Sequence, residues 1–447
     1  MEKSFISFGC WNRGFCNSSD LTSASNDFSR VVSTLARYIS IGPSHPEFIC
    51  ILGDNYYPDV FIPADGKKIK TASYTDLKSG FDCIETLFHT PLPIEIDLLV
   101  GNHDIENTTK MRLENFPKTD SSCKITESQV SLVSGLHQRI MSKVNGINLV
   151  LFNYRIVENT IVVMIDSNIY FEDLEKSCHC YIPLMNAMGV RRGKDARVTV
   201  EWIKTTQAAW LGSVYQHIDE LCRDPTNKLK FKNIIIMAHH PLCCLKRKNG
   251  KDRFDCPPSS EYPLFCREIY LILNRITGAK NFYYNSADLH TYQEGTITLS
   301  VQNETGISER SSERELLSSS IQIHQYIAGT GGALLEPEVS ESNDAVKKID
   351  GIHITYHVTE SVHTNGFLVW TVGSRYSKLN VAFIRSDIGH EFRSFSKSSM
   401  LPASKVHDVG GGMGKVTVKR QRQRQRQRRI KRLNKSRKMK TKSKYKN

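Results

Sequence analysis

Short, uninterrupted apolar runs that end abruptly in glycine or polar residues set the pattern of this chain. FICIL stops at Gly53, IDLLV at Gly101 and IIIMA at His239, and a shorter aromatic run, NFYY, stands a few residues before Asp288. Runs this short, rich in β-branched and aromatic side chains and closed by turn residues, predict strands buried on both faces, as in the parallel part of an α/β sheet. GTITLS and IQIHQYIAG predict two further strands, and GFLVWTVG with KLNVAFIRS a final pair joined by a turn at SRYS. One segment has the helical period instead. In VTVEWIKTTQAAWLGSVYQHIDELC, the spacing puts Trp202, Ala209, Trp210, Val214 and Ile218 on one face, with both tryptophans as core packing.

The polar residues that close the runs carry the chemistry. Asp54 lies in GDNYYP, Asn102 and His103 in GNHD, His239 in AHHP, and Asp288 and His290 in ADLH. In parallel sheets ligands gather beyond the carboxyl ends of the strands, so four such clusters can converge on one site. A GD or HP pair alone is commonplace in turns, and a single strand-end histidine is usually structural. Four clusters of carboxylate, amide and imidazole donors in succession point to a metal site. Asp166 ends TIVVMID and reads as a turn residue sooner than as a partner of the site, and His240 as a neighbour facing substrate or water.

Composition adds a frame. The chain has 447 residues and 39% hydrophobic content, enough for one large α/β domain or two ordinary ones. Its opening, MEKSFISFGCWN, lacks a long apolar core and no stretch reaches the ~18 apolar residues of a membrane span, so an intracellular protein is expected. Twelve cysteines, several inside apolar runs (Cys50, Cys83, Cys222), fit thiols in a reducing compartment. Cys178 and Cys180 around His179, and Cys243, Cys244, Cys256 and Cys266, lack standard zinc-finger spacing.

The net charge of +14 belongs to one end. Residues 415–447 hold 17 Lys or Arg and no acidic residue, which leaves 43 basic against 46 acidic side chains elsewhere, a net −3. This tail, after the glycine hinge at 410–414, is expected to be disordered and to bind phosphates or an acidic partner without reading bases. It suits nuclear import or packing beside a genome, for instance in a virus particle. The organisation expected is therefore a catalytic domain at 1–395 with irregular segments at 171–200 and 301–320, a Gly/Ser-containing linker at 396–414 and the tail.

The order FGCWN, GDNYYP, GNHD, AHHP, ADLHTYQ resembles the calcineurin-like metallophosphoesterases, and most of all the small purple acid phosphatases. Tyr57 stands three positions after Asp54, as does the metal-binding tyrosine of the purple enzymes. QAAWL resembles their helix before the third motif, and AGTGGALLEP their late Gly-rich turn. The resemblance covers roughly residues 4–385. It implies a four-layer α/β/β/α sandwich of two mixed sheets holding two metals, divalent or Fe(III) with a divalent partner, from among Fe, Zn and Mn. It implies that Asp54 bridges both ions, that Tyr57 and His290 complete the first site, and that Asn102 and His239 bind the second. It further implies hydrolysis of a phosphomonoester by a metal-activated hydroxide, with the ions ~3.5–4 Å apart and His103 protonating the departing alkoxide.

Two residues depart from the family pattern. Cys10 occupies the place of the first-motif aspartate, and Asp288 that of the first histidine of GHxH. A carboxylate can replace an imidazole on a divalent cation and makes the site harder. A thiolate binds Zn or Fe well but not Mg or Mn. The alternative to an enzyme is a phosphoesterase-fold protein of weak or lost turnover that binds nucleic acid or an acidic partner through its tail. A third reading is a nuclease steered by that tail.

Overall fold

A computed structural model of the chain describes residues 2–11, 27–42, 45–55, 59–61, 69–71, 94–104, 147–171, 200–223, 231–255, 260–275, 281–301, 320–332, 335–339, 344–373 and 379–387. In chain order the elements are β1 (Lys3–Phe8), α1 (Asp27–Ile41), β2 (Pro46–Ile51), β3 (Asp59–Phe61), β4 (Ile69–Thr71), β5 (Glu95–Leu98), β6 (Ile147–Leu149), β7 (Asn153–Val157) and β8 (Thr160–Met164). They continue with α2 (Asn168–Phe171), α3 (Val200–Arg223), β9 (Asn233–Met237), β10 (Cys244–Lys248), β11 (Lys251–Asp255), α4 (Tyr262–Arg275), β12 (Asn281–Ser286) and β13 (Tyr292–Val301). The last are β14 (Ser320–Ala328), β15 (Asp344–Ile349), β16 (Ile352–Val362), β17 (Gly366–Val372) and β18 (Asn380–Arg385). All belong to the unit Met1–Ser396.

The apolar runs are strands, as their pattern predicts. Six strands form a mixed sheet in the order β18-β17-β1-β2-β5-β6, and eight form a second, β15-β16-β13-β14-β12-β9-β8-β7. The parallel pairs are β1 with β2, β2 with β5 and β5 with β6 in the first sheet, and β8 with β9, β9 with β12 and β12 with β14 in the second. Hairpins and edges supply the antiparallel remainder, including the predicted β17–β18 pair.

Strand alternation sorts the side chains into layers. Between the sheets, Phe5 stacks on Phe48 and Trp370, with ring centroids 4.8 and 5.8 Å apart, and the second sheet contributes Val162, Met164, Ile235, Met237 and Tyr283. The other face of the first sheet, with Ile6, Phe8, Ile49 and Ile51, is covered by α1, whose Phe28, Val31, Val32, Leu35 and Tyr38 recur at helical spacing. The outer face of the second sheet packs on α2, α3 and α4. The result is the expected α/β/β/α sandwich.

Two sets of polar contacts tie the sheets together. Ser7 Oγ of β1 accepts hydrogen bonds from Asn285 of β12 at 2.5 Å and from Trp370 at 2.8 Å. Arg155 of β7 donates to both oxygens of the fully buried Asp97 of β5 and to Glu95, tying the second sheet to the first. Removing either member of this pair would strand a charge in the interior.

In α3 the buried face is Ile203, Gln207, Leu211, Val214 and Ile218, with Trp202 and Trp210 half-buried at its margin. Ala209 is exposed, against expectation, because a face centred on residues 203, 207, 211, 214 and 218 leaves position 209 on the opposite side. No helix among the described residues is long and apolar enough to cross a membrane. Apart from their end residues, the irregular segments expected at 171–200 and 301–320 lie outside the described residues, as do the SRYS turn, Tyr57, Cys178, Cys180, Cys256 and the basic tail.

Candidate metal centre

The polar clusters lie on loops that leave the carboxyl ends of parallel strands. Cys10 follows β1, Asp54 follows β2, and Asn102 and His103 follow β5. His239 and His240 follow β9, and Asp288 and His290 follow β12. Backbone hydrogen bonds lace these loops together: Cys10 N–H to Gly53 O at 3.1 Å, Trp11 N–H to Asp54 O at 3.2 Å, and Ala287 N–H to His239 O at 2.9 Å. The late Gly-rich turn joins them through Gly331 N–H to Gly9 O at 3.0 Å.

Gly101 and Gly53 are two of the points at which these loops approach too closely for side chains. A Cβ at Gly101 would lie 2.2 Å from Asp54 N and 2.3 Å from Asp54 Oδ1, and one at Gly53 2.6 Å from Gly101 N, so each glycine makes room for the other strand's loop. Gly53 also has φ of +87°. Among the described residues, six non-glycine residues have positive φ. Three, Glu158, Asn249 and Asp350, sit in tight hairpin turns that require it. The others are Cys10, Asp54 and Asp288, each at φ 52°, all at the site. Asp tolerates this conformation and Cys does so poorly, so the surrounding loops hold the Cys10 thiol where it is.

The donors form two groups. The ligand atoms of Cys10, Asp54 and His290 lie within 4.8 Å of one another, as do those of His239, His240 and Asp288. Asp54 divides its carboxylate between them: Oδ2 is 3.8 Å from Cys10 Sγ and Oδ1 is 3.4 Å from His239 Nε2. Around that same Nε2 stand Asn102 Oδ1 at 3.0 Å and Asp288 Oδ1 at 3.8 Å. His239 Nδ1 is 2.7 Å from the Leu52 carbonyl, which can only accept, so Nδ1 carries a proton and Nε2 faces the cluster. In neutral imidazole that leaves a lone pair aimed at three oxygens. The arrangement fits a cation, or a second proton on the ring. Burial opposes charge on His239, but the carboxylates of Asp54 and Asp288, the Leu52 carbonyl and Asp104 outweigh it and raise its pKa.

Supporting residues hold the donors. Asp104, the last residue of GNHD, accepts the backbone N–H groups of Gly101 at 2.8 Å and Asn55 at 3.0 Å and the Asn55 side-chain amide at 2.9 Å. Burial, then the Asp54 charge, push its carboxyl up to about 7 despite these bonds. Asn55 continues the network to Leu99 O at 2.7 Å and to Trp11 Nε1 at 3.0 Å, so three strand-end loops are tied together. The His103 N–H donates to Asp54 Oδ1 at 3.0 Å. His240 is fixed by Ser167 Oγ, which lies 2.9 Å from its Nδ1 and accepts its backbone N–H at 3.0 Å. Burial and the neighbouring His239 hold His240 well below the usual imidazole range.

Asp166 is a turn residue: its Oδ1 accepts the Asn168 backbone at 2.9 Å and side chain at 2.7 Å. Asn168 in turn donates to Val100 O at 2.8 Å, just ahead of GNHD. Sequence reasoning named GNHD and GDN without giving Asp104 and Asn55 these tasks; the available signal was a polar residue beside each donor with nothing else to do.

No family model and no curated protein matches the sequence. Among solved structures, one described as the structure of PhoD matches with a TM-score of 0.42 and 10% identity, covering 86% of this chain and 66% of that one. This chain thus spans just under two thirds of that protein's length.

Proposed function

We propose that the chain is a metal-dependent phosphoesterase that hydrolyses a phosphomonoester in the manner of the purple acid phosphatases. The observation that carries this reading is the division of Asp54, one oxygen turned to Cys10 and the other to His239, as a carboxylate bridging two cations requires. Cys10 and His290 would hold one ion, with Tyr57 as the further ligand the family resemblance implies. Asn102, His239 and Asp288 would hold the other. When bound, two such ions supply positive charge for the phosphate oxygens and acidify a water.

The remaining tasks fall to the chain's own groups. His103 would protonate the departing oxygen, which an imidazole does well near neutral pH. Its backbone N–H on Asp54 couples its position to the bridging carboxylate. Asp104 and Asn55 would keep the Asn102 and Asp54 loops at a fixed separation.

The test is metal content together with turnover of a small aryl phosphate, on full-length protein stripped and then supplied with Zn, Fe, Mn or Mg. The expected result is two ions per chain, metal-dependent hydrolysis, and a His103→Ala variant that keeps both ions while losing turnover. A folded chain that takes up no metal and hydrolyses nothing would replace this reading with that of a binding scaffold.

A further inference from the structure

The hairpin β10–β11 begins four residues after His240 and carries an unusual arrangement of charge. Its turn is Asn249-Gly250, both at positive φ, the two-residue type that suits hairpin twist. Lys246 pairs with Arg253 and Lys248 with Lys251 directly across the strands. Because side chains alternate, all four project from one face, while Leu245, Arg247, Asp252 and Phe254 occupy the other. On that second face Arg247 and Asp252 are partners at 3.6 Å.

Like charges directly opposite each other destabilise a two-stranded ribbon. Lys246 is relieved by Asp255 at 3.3 Å and Glu336 at 3.7 Å. Among the described residues no carboxylate pairs with Lys248, Lys251 or Arg253, all exposed. Folding alone gives no reason for this ladder.

The base of the hairpin is fixed relative to the metal centre. Buried Gln293 accepts the Leu245 N–H at 3.2 Å and donates to Leu245 O at 2.6 Å, and Gln325 does the same for the preceding turn through Leu242 N–H at 3.0 Å and Cys243 O at 2.7 Å. Glu336, which holds Lys246, donates its backbone N–H to His290 O at 2.7 Å. The Asp288 carboxylate is among the charges that keep Lys246 an ammonium against its burial. The cationic face therefore starts beside the Asp288–His290 loop and runs outward to an exposed tip.

We propose that this face binds the phosphodiester backbone of a nucleic acid and leads its end to the metal centre, which makes the terminal phosphomonoester of a polynucleotide the substrate class of the phosphoesterase proposed above. A run of four cations along a rigid ribbon matches the regular charge of a phosphate backbone. The face offers no aromatic or apolar residue for base stacking or for an acidic peptide's side chains, so recognition is by charge and independent of sequence.

The test is amine-selective labelling of the full chain, read residue by residue by mass spectrometry, with and without a single-stranded DNA, single-stranded RNA or duplex oligonucleotide. Lys248 and Lys251 should be protected several-fold at low salt and lose protection at high salt. Lys3, at the far end of β1 and paired with Glu47 at 2.7 Å, should label equally in all samples. The three nucleic acids distinguish strand from duplex binding. A Lys248→Ala/Lys251→Ala/Arg253→Ala variant should fold without loss of melting temperature, since it removes repulsion, and should lower the slope of log K against log salt by about 2 for a single strand. Unchanged labelling of Lys248 and Lys251 beside protected tail lysines would overturn the proposal and assign binding to residues 415–447. So would an unchanged salt slope in the folded variant. Neither readout uses catalysis, so a failure here is separable from a failure of the phosphoesterase reading.

Discussion

The two donor groups at the centre share Asp54 and an imidazole and differ in their remaining donors. Around Cys10 the set is thiolate, carboxylate and imidazole; around His239 it is amide, carboxylate and imidazole, with Asp288 adding a second carboxylate. Each half contains one of the two departures from the family pattern, and they pull in opposite directions. Sulfur at Cys10 softens its half toward Zn, Cd or Fe, while Asp288 hardens the other toward Mn or Mg. Each group has two buried members and one partly exposed one, His290 beside Cys10 and Asp288 beside His239. On the proposed reading, a centre built this way would discriminate between two different ions instead of accepting a matched pair.

The most damaging change to this contrast is Asp54→Asn, which withdraws a charged oxygen from both halves. Metal analysis should show the loss of both ions or of all but one, with turnover at background. Next in size is Cys10→Asp, which restores the carboxylate of the family pattern and suits φ of 52° better than Cys does. The fold should persist, while the preference for Cd over Mn in competition titrations should fall on the order of 100-fold. With Co(II), the thiolate charge-transfer absorption of the native chain should vanish. An unaltered spectrum would mean that Cys10 touches no metal and that the halves are not chemically distinct.

Smaller effects separate ligands from their supports. Asp104→Asn leaves every proposed ligand in place but weakens the bonds to Gly101 and Asn55, and should cost about 10- to 100-fold in metal affinity or turnover, as removal of a ligand-positioning group typically does. Asp288→His should cost less, under about tenfold, because His tolerates positive φ and supplies one donor for another. It should shift the second ion toward Zn without moving the first.

The same contrast explains what the sequence disclosed. Donors that end buried strands were legible because the apolar run marks the strand and topology sends its end to a common edge: Asp54, Asn102, His239 and Asp288 could each be read this way. Helix α1 was not anticipated, since its five core residues lie among serines and arginines and the strand signals on either side are stronger. The roles of Asp104, Asn55 and Ser167 depend on contacts between residues 44 to 73 positions apart, which no local pattern encodes. The basic hairpin had a local signal, Asn-Gly between charged segments, but the alignment of four cations on one face emerges only with the register. Sequence reasoning attributed the basic character to the tail and overlooked a second cationic element, small in number and fixed in space.

The finest distinction between the two halves is protonic. With no cation present, the carboxylates of Asp54 and Asp288 outweigh burial and raise the pKa of His239, which favours a second proton on the ring. Its stabilising contribution is complete below the unfolded value of about 6.5 and is lost as pH rises through the higher folded value. A metal at this half must displace that proton, so its affinity should increase with pH across this window, with about one proton released from His239 per ion bound. Calorimetric titration of stripped protein in two buffers of different ionisation enthalpy measures the number directly. In His239→Gln the residual binding at the Cys10 half should release no proton from this position, and any proton then released is that of the Cys10 thiol or the Tyr57 phenol. An unchanged proton count in the variant would place the titrating group elsewhere and remove the protonic difference between the two halves.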